Sequence, residues 1–137
     1  MNITDNMTLY AMFVEKSVYD NPIGEQYLQF NLNRDGSSYS IKTKQDISFT
    51  GKITLPIVHP VDGLPVTAVA NEGFRNQYNI THIFWERKAG IINQVNALGT
   101  NMCYDNLNLC YFEMPELVTA IPDSAFYNCR SLFKGLD

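Results

Sequence analysis

Val118-Thr-Ala-Ile-Pro-Asp-Ser-Ala-Phe-Tyr-Asn-Cys-Arg-Ser-Leu132 is the stretch whose reading decides the fold. Its skeleton is Val118, Ala120, Ile121, then Phe126, then Leu132. The same skeleton stands twice earlier, as Val66, Ala68, Val69, Phe74 and Ile80, and as Val95, Ala97, Leu98, Cys103 and Leu109. Self-similarity of this size marks a repeat architecture, in which each unit buries its apolar side against its neighbours.

The central residues Phe74, Cys103 and Phe126 are 29 and 23 residues apart. Leucine-rich repeats have units of about 20–29 residues. The longer first interval comes from an insertion between Trp85 and Val95. Three residues before each central position stands Asn71, Thr100 or Asp123, and two after it Asn76, Asp105 or Asn128. The first set suits helix N-caps, where a side-chain oxygen accepts from an orphan N–H, and the second set favours turns. Each unit therefore reads as a capped helical turn closed by a second turn. A strand follows. Ile80, Ile83 and Trp85 match Leu109, Phe112 and Met114 in offset, while His82, Phe84, Tyr111 and Glu113 alternate to the other face. Pro115 ends the second strand by removing a backbone donor.

With these residues in place, the stretch from Val118 to Leu132 resembles the repeat of the BspA-type leucine-rich repeat family. Met114-Pro115 is similar to that family's strand-ending pair, and Gly51 to Pro56 with Gly63 to Val69 resembles the segment that opens such arrays. The match covers residues 50–137. The middle copy departs from it, with Cys103 in place of the aromatic and Asn106 in place of the cysteine. The resemblance implies a curved array on a cell-surface or virion protein, used for adhesion or assembly, with no catalytic residues to carry over.

The N-terminal half reads as short strands. Thr8-Leu-Tyr-Ala-Met-Phe13 is similar to the last strand of an internalin-type B-repeat. Leu28, Phe30 and Leu32 alternate with polar neighbours, Asn33-Arg-Asp-Gly36 is a hairpin turn signal, and Tyr39 and Ile41 return. Ile53, Leu55 and Ile57 continue the alternation, confined to an edge by Pro56, Pro60 and Pro65. The expected fold is a short leucine-rich-repeat solenoid, one β-strand plus one helical turn per repeat. Residues 1–62 form its β-rich N-terminal cap and 63–137 its three repeats.

With 45% hydrophobic residues and a net charge of −4, the chain has a folding composition and lacks the basic face of a nucleic-acid binder. No apolar run reaches the length of a membrane span, and Met1-Asn-Ile-Thr-Asp5 has no signal-peptide pattern. Cys103 and Cys129 hold core positions and are expected as buried, reduced thiols, with Cys110 more accessible. No Cys-x-x-Cys pair, nucleophile elbow or phosphate loop occurs, so neither an enzyme nor a cofactor is expected.

Two features point to contact with another protein. One is the insertion Glu86 to Gln94, which carries Arg87 and Lys88. The other is the outward strand face of His82, Phe84, Tyr111 and Glu113, continued by Lys134 and Leu136. These residues are the candidate partner-binding set. The reading is a protein-interaction module acting on a protein or host-surface ligand, extracellular or at the cell surface. The alternative is a fibre or decoration protein of a bacteriophage virion. A homo-oligomer, or a place in a larger assembly, is expected in either case.

Overall fold

The computed structural model describes residues 19–132. The strand expected at Thr8 to Val14 and the outward residues Lys134 and Leu136 lie outside them. Six strands form among the described residues: β1 (Leu28–Leu32), β2 (Tyr39–Thr43), β3 (Gly51–Leu55), β4 (Val66–Val69), β5 (Ile80–Trp85) and β6 (Tyr111–Phe112). They make two three-stranded sheets, in the orders β1-β2-β4 and β3-β5-β6. The pair β1–β2 is the expected hairpin, antiparallel with Leu28 opposite Thr43 and Leu32 opposite Tyr39. The other pairs are parallel and join segments one unit apart: Ile41 to Val69, Ile53 to Ile83, and Ile83 to Phe112. A single bridge, Ala68 to Ala97, extends the first sheet by one residue.

The expected solenoid of strand plus helical turn does not form. No helix is among the elements of the described residues, and the strands fall into two small sheets. The reason lies in the backbone. Each unit has two non-glycine residues in the left-handed region, placed two before and two after the central residue. They are Glu72 and Asn76 (φ 59° and 62°), Asn101 and Asp105 (57° and 63°), and Ser124 and Asn128 (57° and 60°). A right-handed helix cannot run through such residues. The expected caps work differently as well. Asn71 Oδ1 accepts from the N–H of Thr100 in the next unit, at 2.9 Å, rather than from its own unit.

The turns instead hydrogen-bond from unit to unit. Glu72, Phe74 and Asn76 donate their N–H groups to the carbonyls of Thr100, Met102 and Tyr104 at 2.9, 2.7 and 2.8 Å. Asn101, Cys103 and Asp105 donate in the same way to Asp123, Ala125 and Tyr127 at 3.4, 2.8 and 2.9 Å. Just before this ladder the first two units approach closely enough to require glycine. A Cβ on Gly99 would stand 2.3 Å from the Ala70 oxygen. Beside the ladder runs a column of side chains, with the Arg75 guanidinium 4.6 Å from the Tyr104 ring centre and Tyr104 stacked on Tyr127 at 4.7 Å.

One core lies between the sheets and the turns. Ile41, Leu55, Val66, Phe74, Ile80, Ile83, Trp85, Val95, Met102, Cys103 and Leu109 are fully buried in it. Cys103 and Cys129 are buried free thiols. Burial raises the Cys103 thiol well above its ordinary range and pushes Cys129 up to about 11. Phe126 does not reach the depth its motif implies. It is half-buried, with its ring edge-on to Phe112 at 5.1 Å, and Leu132 is half-buried too.

Candidate functional site

The alternation of β5 sends Ile80, Ile83 and Trp85 to the core and leaves His82 and Phe84 on the outer face of the second sheet. Parallel pairing sets Lys52 and Tyr111 on either side of His82. Three rings thus meet: Phe84 and Tyr111 at 5.5 Å between centres, His82 and Phe84 at 5.9 Å, and His82 and Tyr111 at 6.3 Å. Tyr111 is 43% exposed. His82 Nδ1 lies 2.9 Å from Thr81 Oγ1, and its Nε2 lies 3.6 Å from Cys110 Sγ. Burial, and then the charge of Lys52, hold His82 below the usual histidine range, so its ring is neutral at pH 7.

Glu113 follows β6 and faces the other way in its chemistry. One carboxylate oxygen accepts from the Trp85 backbone N–H at 2.8 Å, and the other accepts from Arg87 Nη2 at 3.1 Å. The Trp85 indole N–H donates to the Glu113 carbonyl at 3.0 Å. Glu113 therefore ties the start of the insertion to the strand behind it. Arg87 lies 3.7 Å over the ring of Tyr19, and Tyr19 meets Phe84 edge-on at 5.6 Å. Lys88 is not joined to this group; its Nζ lies 3.9 Å from Glu86 on the insertion. The insertion and the segment after β6 enclose an open cleft of about 360 Å³. Arg87 and Glu113 line it together with the exposed side chains of Ile92, Met114 and Leu117.

Of the six residues proposed from sequence, His82, Phe84 and Tyr111 form one ring cluster, Arg87 and Glu113 form an ion pair beside it, and Lys88 stands apart. Sequence reading missed Tyr19, Lys52 and Cys110. Tyr19 lies in a stretch that neither the repeat nor the strand alternation covers. Lys52 was findable, since Ile53 and Leu55 stand at the offsets of Ile83 and Trp85 and carry Lys52 to the place of His82. His59 belongs elsewhere. It pairs with Glu25 at 2.8 Å and stacks on Tyr39 at 4.6 Å, beside the first sheet. Among the described residues no group of three or more His, Cys, Asp or Glu is placed to hold a metal ion.

The backbone course resembles a solved structure, the crystal structure of the leucine-rich repeat protein of T. pallidum. The TM-score is 0.67 at 22% identity, over 81% of this chain and 47% of that one. The fold is of leucine-rich-repeat type, with a turn in each unit where a helical turn was expected. The chain spans just under half the length of that protein. No family model matches the chain, and no curated protein matches it.

Proposed function

We propose that this chain is a non-enzymatic protein-interaction module that engages a partner protein through the outer face of its second sheet. The observation that carries the reading is the contact of His82, Phe84 and Tyr111 on one exposed face. Aromatic rings held rigidly at a surface give large contact area at low entropic cost, and they are enriched in protein interfaces. Arg87 is fixed beside them by Tyr19 and Glu113, so it meets a partner without being ordered first. The leucine-rich-repeat type of fold supports an interaction role. The BspA-type resemblance supports adhesion or assembly on a surface-exposed protein.

A photoreactive residue at position 111, compared with one at the exposed Gln29 of the first sheet, tests this in cells that produce the protein. A discrete protein adduct from position 111 and none from 29 is the expected result. Equal adducts from both, or none from 111, overturns it. Tyr111→Ala should reduce adduct formation at a neighbouring probe while changing stability by no more than about 0.5 kcal/mol, the usual range for a surface substitution.

A further inference from the structure

Glu86 and Glu113 tie neighbouring segments together in the same way. Glu113 accepts the Trp85 N–H with its Oε1 at 2.8 Å, and Glu86 accepts the Ile57 N–H with its Oε1 at 3.1 Å. The two donors stand 28 and 29 residues earlier, so each glutamate reaches back by one unit. Their second oxygens differ. That of Glu113 accepts from the Arg87 guanidinium at 3.1 Å. That of Glu86 makes no hydrogen bond among the described residues. The Lys88 ammonium lies 3.9 Å from it, on a half-exposed side chain. A pair of that kind contributes little. Glu86 itself is only 8% exposed. A carboxylate this deep is costly unless its oxygens are hydrogen-bonded and its charge is closely paired.

Glu86 lines the cleft of about 360 Å³ between the insertion and the segment after β6. That volume lies within the range of ligand sites, about 300–1,000 Å³. Its wall is built in advance. The Ile91 N–H donates to the Lys88 carbonyl at 3.1 Å around Gly90, whose φ is 77°, and the Arg87 N–H donates to the Tyr19 carbonyl at 3.2 Å. Ile92, Met114 and Leu117 give the cleft exposed apolar sides. Glu116 lines it too, exposed and without an ion pair among the described residues. Arg87 neutralises Glu113, so the charge left on the lining is that of Glu86 and Glu116. The cleft is therefore negative and apolar together, with one recessed carboxylate oxygen still open to a donor.

We propose that this cleft receives an arginine side chain of a partner protein. The guanidinium sits on Glu86 Oε2, as Arg87 sits on Glu113, and apolar residues on either side of the arginine cover Ile92, Met114 and Leu117. Arginine suits the place better than lysine, because its planar fork is weakly hydrated and matches a carboxylate. The contact is separate from the ring face proposed above and uses other side chains, so either stands if the other fails.

An NMR titration of the full chain with acetyl-Leu-Arg-Leu-amide tests this. The citrulline analogue of that peptide keeps its shape and lacks its charge. The arginine peptide should shift the resonances of Glu86, Ile92, Met114 and Leu117 saturably. It should bind about tenfold tighter than the citrulline peptide, the worth of one charge-assisted hydrogen bond. Glu86→Gln keeps an oxygen for the Ile57 N–H, so the melting temperature should hold. It should weaken the arginine peptide about tenfold and leave the citrulline peptide unchanged. Glu116→Gln, at an exposed site, should weaken the arginine peptide only about two- to threefold. Tyr111→Ala should change neither. Equal binding of the two peptides, or full binding by Glu86→Gln, would overturn the proposal. So would butylguanidinium binding as tightly as the peptide, which would mean a site for a small cation. Cross-relaxation in the free chain between Glu86 and a basic side chain other than Arg87 and Lys88 would overturn it as well, since the chain would then fill its own cleft.

Discussion

The second unit, around Cys103, and the third, around Phe126, match the repeat to opposite degrees. The second departs from it at two core positions, with Cys103 for an aromatic and Asn106 for a cysteine. Yet Leu98, Met102, Cys103, Asn106 and Leu109 are all buried. The third keeps the aromatic and the cysteine, yet Phe126 and Leu132 are half-buried and Ile121 is exposed. Fidelity to the motif does not set burial here. The number of neighbours does: the second unit has a unit on each side, and the third has one among the described residues. Apolar area is removed from water only where another surface covers it.

The sharpest way to break this comparison is to truncate the same motif position in an enclosed unit and in the open one. Phe74 is 1% exposed. Phe74→Ala should cost about 3–5 kcal/mol, the range for a core phenylalanine. Phe126→Ala should cost about 1–2 kcal/mol, because part of its ring surface stays in water in the folded state. Urea denaturation of the two variants gives both numbers. Equal losses would mean that the motif, not the neighbour, fixes the contribution of this position.

A smaller effect tests how the enclosed unit tolerates its odd residue. Asn106 is fully buried, and its Oδ1 accepts from the Gln77 backbone N–H at 3.0 Å. Gln77 acts in the same way one unit earlier, accepting from the Phe49 N–H at 2.9 Å and donating to the Ile47 carbonyl. Asn106→Ala leaves the Gln77 N–H buried without an acceptor. It also deletes the Asn106 Nδ2, which has no partner of its own. The net loss should be about 1–2 kcal/mol. An unchanged thermal unfolding midpoint would mean that the side chain only fills space.

These residues also mark what was legible in the sequence. The strands at Leu28, Tyr39, Ile53 and Ile80 follow from period-two alternation, and the β1–β2 hairpin from Asn33-Arg-Asp-Gly36, whereas the strand at Val66–Val69 was not expected. The ring face followed as well, since His82 and Phe84 alternate with Ile83 and Trp85. The helical turns were misread because the decisive fact is a backbone angle. Asn76, Asp105 and Asn128 tolerate the left-handed region, but Glu72 is a good helix former and gives no sign of its φ of 59°. The hydrogen bond from Thr100 to Asn71 was equally hidden, since a cap residue can serve its own unit or the next. Tyr19 escaped because its contacts with Arg87 and Phe84 are long-range and carry no period.

The smallest expected effect concerns His82, which lies on the outer face but has strand neighbours on both sides: Lys52 on one and Cys110 and Tyr111 on the other. Burial comes first, and Lys52 second, in holding its pKa below the ordinary value of 6.5. The unfolded chain then binds this proton more readily than the folded one. Stability is therefore complete above the ordinary value and declines as pH falls through it towards the folded value. The thermal midpoint should drop between pH 7 and pH 5, and His82→Gln should remove part of that drop while the midpoint at pH 7 stays nearly the same. Lys52→Gln should raise the His82 titration point, followed by the NMR shift of its ring protons. A His82 that titrates at or above the ordinary value in the folded protein would mean that the strand face is more open to water than its neighbours imply.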